Sequence, residues 1–160
     1  MITVLNEEKS ILPLLRSLLL QSLRPDEIVI VDGGSSDTTV QKINDFSKKH
    51  SEIRIRVLEE QGNISRGRNV GISAASNSII ALTDSGCIAR KYWLQRIVEP
   101  FNRKETLIVA GFYEMRAISS LQKAVAPFLG ITKRKFDPLT FLPSARSVAL
   151  KKSLWSSMNG

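Results

Sequence analysis

The chain has 160 residues, which is enough for one domain with its own hydrophobic core. Its 42% hydrophobic and 24% charged residues are ordinary for a soluble globular protein, and no apolar run reaches the ~18 residues of a membrane span. The net charge of +8 is uneven, because residues 1–89 carry 10 Lys/Arg against 11 Asp/Glu and residues 90–160 carry 13 against 4. A basic half is as consistent with a solvated basic surface as with an anionic partner such as a phosphorylated substrate, a nucleic acid or an anionic lipid.

Cysteine and histidine occur once each, which excludes further classes of protein. Cys87 is the single cysteine, which excludes an internal disulfide and a cysteine-based zinc site. His50 is the single histidine, and we expect it to be solvated at a helix end rather than to serve a Ser-His-Asp hydrolase. The first residues lack the basic lead and cleavage site of a signal peptide, which predicts a cytoplasmic location.

Strand and helix patterns alternate along the chain, which is typical of a parallel α/β sheet. The predicted strands are residues 2–5, 27–31, 53–58, 78–83, 106–112 and 147–150. Helices are predicted after Ser10, from about Thr38 to Lys49, through Arg68 to Ala75, over residues 92–101 and 121–129, and at the end of the chain. We expect Ser10 and Asp37 to cap the first two helices.

Two of the predicted strands end on an aspartate. The apolar residues 28–31 lead into Asp32, two glycines and two serines, and residues 78–83 lead into Asp84. Ligands of open α/β sheets bind at the carboxyl ends of the strands. The two carboxylates therefore predict a polar-ligand site and favour a nucleotide.

Each of these residues also has an ordinary structural explanation. The Asp-Gly-Gly-Ser sequence is a tight turn, and Asp37 favours a helix cap over a ligand. Arg68 fits a surface arginine, and Asn69 fits a polar position on a helix face. Only the combination of these residues, in this order and spacing, is specific enough to indicate a protein family.

That combination consists of four segments in a fixed order. They are residues 3–8 (TVLNEE), 27–39 (EIVIVDGGSSDTT), 66–72 (RGRNVGI) and 82–87 (LTDSGC). Together they resemble the inverting family 2 glycosyltransferases of the GT-A fold, over nearly the whole chain. The resemblance implies an α/β fold, a three-layer α/β/α Rossmann-like arrangement with a mostly parallel sheet. It also implies one domain over 1–160, in which 1–115 bind the nucleotide-sugar and 116–160 begin an incomplete acceptor side.

The resemblance implies a role for each matching residue. The implied nucleotide-binding residues are Thr3, Asn6, Glu7, Asp32, Gly34, Arg68 and Asp84. Asp32 is expected to accept a hydrogen bond from the base, usually uracil, and Arg68 to lie near the base or the phosphates. Asp84 matches the first acid of a metal motif for Mg²⁺ or Mn²⁺. Gly86 stands where a second acid is common, so such a cation would depend on phosphate oxygens and water, and metal dependence is not assured.

The implied activity is transfer of a sugar from a nucleotide donor, a UDP-sugar by expectation, to a saccharide or lipid-linked acceptor in cell-envelope polysaccharide biosynthesis. An inverting transfer needs a base for the acceptor hydroxyl. The resemblance places that base in an acidic pair beyond Gly160, and Asp137, the one carboxylate after Glu114, fits a turn better. We therefore expect this chain to bind a nucleotide and to transfer sugar poorly or not at all.

Several alternatives stay open at this point. Residues 117–135 favour a core-packing helix, and their basic run 133–135 offers peripheral contact with an anionic membrane as the second interpretation. A non-catalytic basic α/β module that binds a membrane surface or a partner protein is the alternative to an enzyme. Nucleic acid is not an expected partner, because aromatic residues do not interleave with the basic ones. Phosphate-loop and dinucleotide-binding glycine motifs are absent from the sequence.

Overall fold

In the computed structural model, residues 1–115, 119–129, 137, 141 and 143–160 are described. The strands in this part of the chain are β1 (Ile2–Val4), β2 (Glu27–Asp32), β3 (Arg54–Glu59), β4 (Ile79–Leu82), β5 (Ile108–Ala110) and β6 (Val148–Lys151). The helices are α1 (Ile11–Leu19), α2 (Thr39–Lys49), α3 (Ile64–Ala74), α4 (Trp93–Val98), α5 (Ser120–Leu129) and α6 (Lys152–Ser157). A 3₁₀ turn at Glu99–Asn102 follows α4, because Pro100 lacks the N–H that would continue the helix. The predicted alternation is confirmed.

β1, β2 and β3 form a parallel sheet with β2 in the centre. Val4 pairs with Asp32, and Asp32 pairs with Glu59, so the three strands end at the same edge. Residues 28–31 are almost completely buried, which explains their continuous apolar run. We call the residues that follow β1, β2 and β4 (5–10, 33–38 and 83–87) the carboxyl edge.

β6 lies between β4 and β5 and is antiparallel to both. Two hydrogen bonds at Met1 join the two sheets: its amine donates to the Ala81 carbonyl at 2.7 Å, and the Thr83 N–H donates to the Met1 carbonyl at 3.3 Å. This is the bonding pattern of a parallel pair, so the strand order becomes β3-β2-β1-β4-β6-β5. Among the described strands only β6 is reversed, and the mostly parallel sheet is confirmed.

Helices cover both faces of the sheet, as the three-layer arrangement requires. On one face α1 and α2 pack over β1 and β2 in a core that includes Leu14, Leu15, Ile30 and Ile43. On the other face α3 buries Ile72 against Val29. Gly71 allows this close approach, because a Cβ at that position would lie 3.0 Å from Cγ2 of Val31 and 2.6 Å from Cγ of Met1.

The two predicted helix caps differ in detail from expectation. Ser10 precedes α1, but its side chain bonds the Glu7 carboxylate and makes no cap hydrogen bond to the helix. Asp37 stands one residue before Thr38, the N-cap of α2, and its Oδ1 accepts from the Thr39 N–H at 2.9 Å. Asp37 therefore satisfies an N–H of the first turn from one position further out.

α5 occupies the segment for which the sequence favours core packing. Leu121 is 75% exposed and Val125 is 36% exposed, so the core-packing interpretation is wrong for these two side chains. The basic run at residues 133–135 lies outside the described residues. Of the helices in the described ranges, none has the length and apolar character needed to cross a bilayer.

Candidate functional site

The loops after β1 and β2 are joined into one hydrogen-bonded unit. The Gly33 N–H donates to the Val4 carbonyl at 2.9 Å. Asn6 has φ 54°, in the left-handed region that asparagine tolerates better than most residues. From this position its N–H donates to the Ser35 hydroxyl at 2.8 Å, and its Oδ1 accepts from the Ser36 N–H at 2.9 Å. Asn6 therefore sets the position of one loop against the other.

Asp32 organises the turn that follows β2. Its Oδ2 accepts from the N–H groups of Gly34 at 3.0 Å and Ser35 at 2.8 Å, and its Oδ1 accepts from the Ser35 hydroxyl at 2.5 Å. Gly34 has φ +95°, a conformation that L side chains rarely adopt. Asp32 is 4% exposed, and three of about four acceptor sites on its carboxylate are used by its own turn. About one acceptor site of the Asp32 carboxylate is left unused by the turn.

Glu7 and Glu8 fasten the same loops to the start of α2. The Glu7 N–H donates to the Thr39 hydroxyl at 2.7 Å, while the Glu7 carboxylate accepts from the Ser10 hydroxyl. Oε2 of Glu8 accepts from the Thr38 hydroxyl at 2.6 Å, and this bond lowers the pKa of Glu8 below its usual 4.5. The Glu7 carboxylate thus supports the start of α1 in this structure.

Thr3 lies within β1, one residue before its end. It pairs with Val31, and a Cβ built on Gly67 of α3 would come within 3.4 Å of its Cγ2. The Thr3 side chain therefore faces α3, the helix that also carries Arg68.

Arg68 of α3 and Asp84, which follows β4, form a separate group beside the end of β4. Nη2 of Arg68 donates to Oδ1 of Asp84 at 3.1 Å. The Asp84 carbonyl accepts from the Cys87 N–H at 3.0 Å, which closes the turn after β4. Arg146 approaches the other oxygen of the same carboxylate, with its Nε 4.0 Å from Oδ2. Asp84 thus stands between two guanidinium groups.

The structure brings the predicted residues together in two groups on one edge of the sheet. The first group follows β1 and β2 and contains Asn6, Glu7, Asp32 and Gly34. The second group lies beside the end of β4 and contains Arg68 and Asp84. β1, with Thr3, stands between β2 and β4, so both groups lie at or beside the carboxyl edge.

The protein family follows from a match over almost the whole chain. The family model described as glycosyl transferase family 2 matches residues 1–154. The chain belongs to glycosyl transferase family 2. Glycosyltransferase AglE of Haloferax volcanii is 26% identical over 160 residues, which cover 99% of this chain and 49% of AglE. The chain spans a half or less of the length of the curated relatives it matches.

Two solved structures share the fold of this family 2 chain. S. aureus TarS 1-349 in complex with UDP has a TM-score of 0.74 at 19% identity, covering 99% of this chain and 48% of the TarS 1-349 chain. Mannosyltransferase PcManGT from Pyrobaculum calidifontis, in complex with GDP-Man and Mn2+, has a TM-score of 0.77 at 17% identity, covering 99% of this chain and 45% of PcManGT. The predicted GT-A fold is confirmed.

Few protein ligands for a divalent cation surround Asp84. Both oxygens of Asp84 face guanidinium groups. Gly86 supplies no donor, and a Cβ built on it meets nothing within 4 Å. Within the described ranges, no group of three or more His, Cys, Asp or Glu is placed to hold a metal ion. The donor set does not fit a cation held by protein side chains alone.

Arg146 and Tyr113 are the site residues that sequence reasoning missed. Nη1 of Arg146 donates to the Tyr113 hydroxyl at 3.2 Å, and the guanidinium lies 5.1 Å from the centre of the Tyr113 ring. Leu82 pairs with Val148 in the antiparallel ladder, so Asp84, two residues after β4, and Arg146, two residues before β6, meet at the carboxyl edge. In the sequence, Arg146 is recognisable as a basic residue before a predicted strand. This pattern does not show the direction of the strand, on which the contact with Asp84 depends.

Proposed function

We propose that this chain is the nucleotide-sugar-binding part of a glycosyltransferase and that the donor lies along the carboxyl edge. One observation carries the proposal: the joined loops after β1 and β2 share this edge with the arginine-flanked Asp84. Open α/β sheets take their ligands at the carboxyl ends of the strands. TarS is solved with UDP and PcManGT with GDP-Man, which supports a nucleotide donor. We retain a UDP-sugar as the expected donor.

The proposal gives the two groups of residues different parts in donor binding. Asn6, Asp32 and Gly34 shape the loop surface that meets the base, and Glu7 supports it. Thr3 lies between the two groups and faces α3. Arg68 and Asp84 stand at the diphosphate. Two guanidinium groups around one carboxylate leave one positive charge in excess, which suits the negative charge that grows on a diphosphate as its sugar leaves.

For the whole protein we propose transfer of the sugar to a saccharide or lipid-linked acceptor with inversion. This reaction needs a base for the acceptor hydroxyl, and the resemblance predicts that base beyond Gly160. The cytoplasmic location, the peripheral membrane contact and the role in cell-envelope polysaccharide biosynthesis likewise stay predictions.

Calorimetric titration with UDP and with GDP tests the proposed function. We expect saturable binding of at least one of them, and we expect Arg68→Gln to weaken it about tenfold through loss of a hydrogen bond to a charged group. Arg16→Gln is the matched control, because Arg16 is an exposed arginine of α1, on the opposite face of the sheet from α3. A wild-type chain that binds neither nucleotide would contradict the proposal, as would equal affinities of the two variants.

A non-catalytic basic module is the competing function. Two lysines of the basic half already have internal partners: Nζ of Lys151 donates to the Lys104 carbonyl at 2.6 Å, and Nζ of Lys152 donates to the carbonyls of Ser73 at 2.8 Å and Ala75 at 2.7 Å. Part of the positive charge of residues 90–160 therefore stabilises the fold, which counts against its serving as a binding surface. Binding to anionic vesicles with no binding of UDP or GDP would favour the module instead.

A further inference from the structure

Asp84 and its two arginines form a cluster with one positive charge in excess. The distance from Nη2 of Arg68 to Oδ1 of Asp84 is 3.1 Å, and the distance from Nε of Arg146 to Oδ2 is 4.0 Å. The side chains are partly open to solvent, at 26% for Arg68, 30% for Asp84 and 47% for Arg146. An anion therefore has access to the cluster, and the net charge attracts it.

Both guanidinium groups keep donors for a further partner. A guanidinium carries five N–H donors in a planar fork. Arg68 uses Nη2 on Asp84, and Arg146 uses Nη1 on the Tyr113 hydroxyl while its Nε faces Asp84. Among the described residues these are the hydrogen-bonding partners of the two side chains. The remaining N–H groups match phosphate oxygens, which arginine binds in bidentate fashion.

The two arginines are held in place by the fold. Arg68 belongs to α3, which packs against β1 through Gly67 and Thr3. Arg146 lies 5.1 Å from the centre of the Tyr113 ring and two residues before β6, whose ladder with β4 fixes its register. Groups that are already positioned lose little conformational entropy when a ligand binds.

We propose that Arg68 and Arg146 together bind the diphosphate of the donor nucleotide directly, without a divalent cation held by the protein. The inference rests on the function proposed above and names the groups that contact the diphosphate. Asp84 is a positioning residue that sets the spacing of the two guanidinium groups. Gly86, in the same turn as Asp84, provides no second carboxylate for a metal ion. The positive charge beside Asp84 comes instead from Arg68 and Arg146.

The test compares UDP with uridine, which has the same base and ribose but no diphosphate. Calorimetry follows UDP binding to the 160-residue chain in EDTA, and ligand-observed NMR follows uridine. We expect UDP to bind in EDTA, and Arg146→Gln to weaken UDP binding about tenfold or more while uridine binding stays unchanged. Arg146→Lys, which keeps the charge but loses the planar fork, should fall between the wild type and Arg146→Gln.

Arg96→Gln is the matched control. The Arg96 guanidinium lies 5.7 Å from the centre of the Tyr92 ring, a cation–π contact like that of Arg146, but Arg96 is on the exposed side of α4. Its variant should bind UDP like the wild type.

The possible outcomes separate this inference from the proposed function. UDP binding that requires Mn²⁺, or equal UDP affinities of Arg146→Gln and Arg96→Gln, would overturn the inference and leave the proposed function standing. A wild-type chain that binds neither UDP nor GDP would overturn both. If thermal melting shows that Arg146→Gln is unfolded, the UDP affinity of Arg146→Lys tests the inference in its place. A folded lysine variant that binds UDP as tightly as the wild type would overturn the inference.

Discussion

Gly86 lies two residues after Asp84, in the turn that follows β4. A Cβ built on it meets nothing within 4 Å, so the turn has room for a larger side chain. An aspartate at this position would add a second carboxylate beside Asp84 and provide oxygen ligands of the kind that Mg²⁺ and Mn²⁺ prefer.

We expect Gly86→Asp to make UDP binding responsive to Mn²⁺. The ratio of UDP affinities in Mn²⁺ and in EDTA should rise about tenfold over the wild-type ratio, the scale on which metal sites respond to changes in their supporting groups. Calorimetry in both buffers measures it. Gly86→Ala is the control, and an alanine variant with the same response would contradict a role for the added carboxylate.

The residues of the site were predictable to different degrees. Asp32 and Asp84 follow apolar runs that end abruptly, a local pattern that a sequence displays directly. Arg146 reaches Asp84 from 62 positions further along the chain, and this contact exists because of the antiparallel pairing of β6. A tertiary contact of this kind leaves no periodic signal. The burial of Asp32 by its own turn was not foreseen either.

At the level of elements, Gly111, the residue after β5, lies in tight contact with Ser147, the residue before β6. A Cβ built there would lie 2.0 Å from Oγ of Ser147 and 3.0 Å from Cδ1 of Ile97. The Gly111 N–H donates to the Ser147 carbonyl at 2.8 Å, and Oγ of Ser147 accepts from Nε1 of Trp93 at 2.9 Å. The glycine therefore allows α4 and the start of β6 to meet next to Arg146.

Gly111→Ala is expected to lower the free energy of unfolding by about 2–3 kcal/mol, because the added methyl group overpacks this contact. Urea denaturation measures the change. Gly86→Ala should stay within about 0.5 kcal/mol of the wild type. Adding Ser147→Gly to Gly111→Ala should recover part of the loss, since it removes the clashing hydroxyl. Equal stability of the two single alanine variants would show that the contact is not tight.

The elements also differed in how well the sequence defined them. β2 was predicted to within one residue, because four consecutive buried apolar residues leave little choice. The predicted strand 106–112 is shorter in the structure, Ile108–Ala110, since Thr106 donates its N–H to the Arg103 carbonyl in a turn at 3.2 Å. The direction of β6 was not predictable, because a period of two residues is the same in parallel and antiparallel strands.

On the scale of the whole molecule, Met1 connects the two sheets. Burial lowers the pKa of its amine from 8.0 to about 5, and Glu27 raises it by a smaller amount. Met1 lines a cavity of about 370 Å³ together with apolar residues such as Val29 and Ile80 and with polar residues such as Glu27. The amine nevertheless donates to the Ala81 carbonyl at 2.7 Å.

This chain is therefore expected to lose stability as the pH falls from 8 to 5. Above pH 8 the amine is neutral in both states; between 8 and about 5 only the unfolded chain takes up a proton; below about 5 both states are charged and the loss is complete. The loss is on the order of 2–4 kcal/mol. Urea denaturation across this range measures it, and an N-terminally acetylated chain is the control. Parallel stability curves for the two chains would contradict the expectation.

The reversed strand β6 also determines when the sheet is finished during protein synthesis. Residues 1–59 contain all three strands of the first sheet, whereas β4 pairs with residues 148–151. A ribosome adds about 5–20 residues per second, so β4 emerges roughly 3–13 s before its neighbour. During that interval the nascent chain carries an open strand edge, the kind of surface to which chaperones bind and at which other chains aggregate.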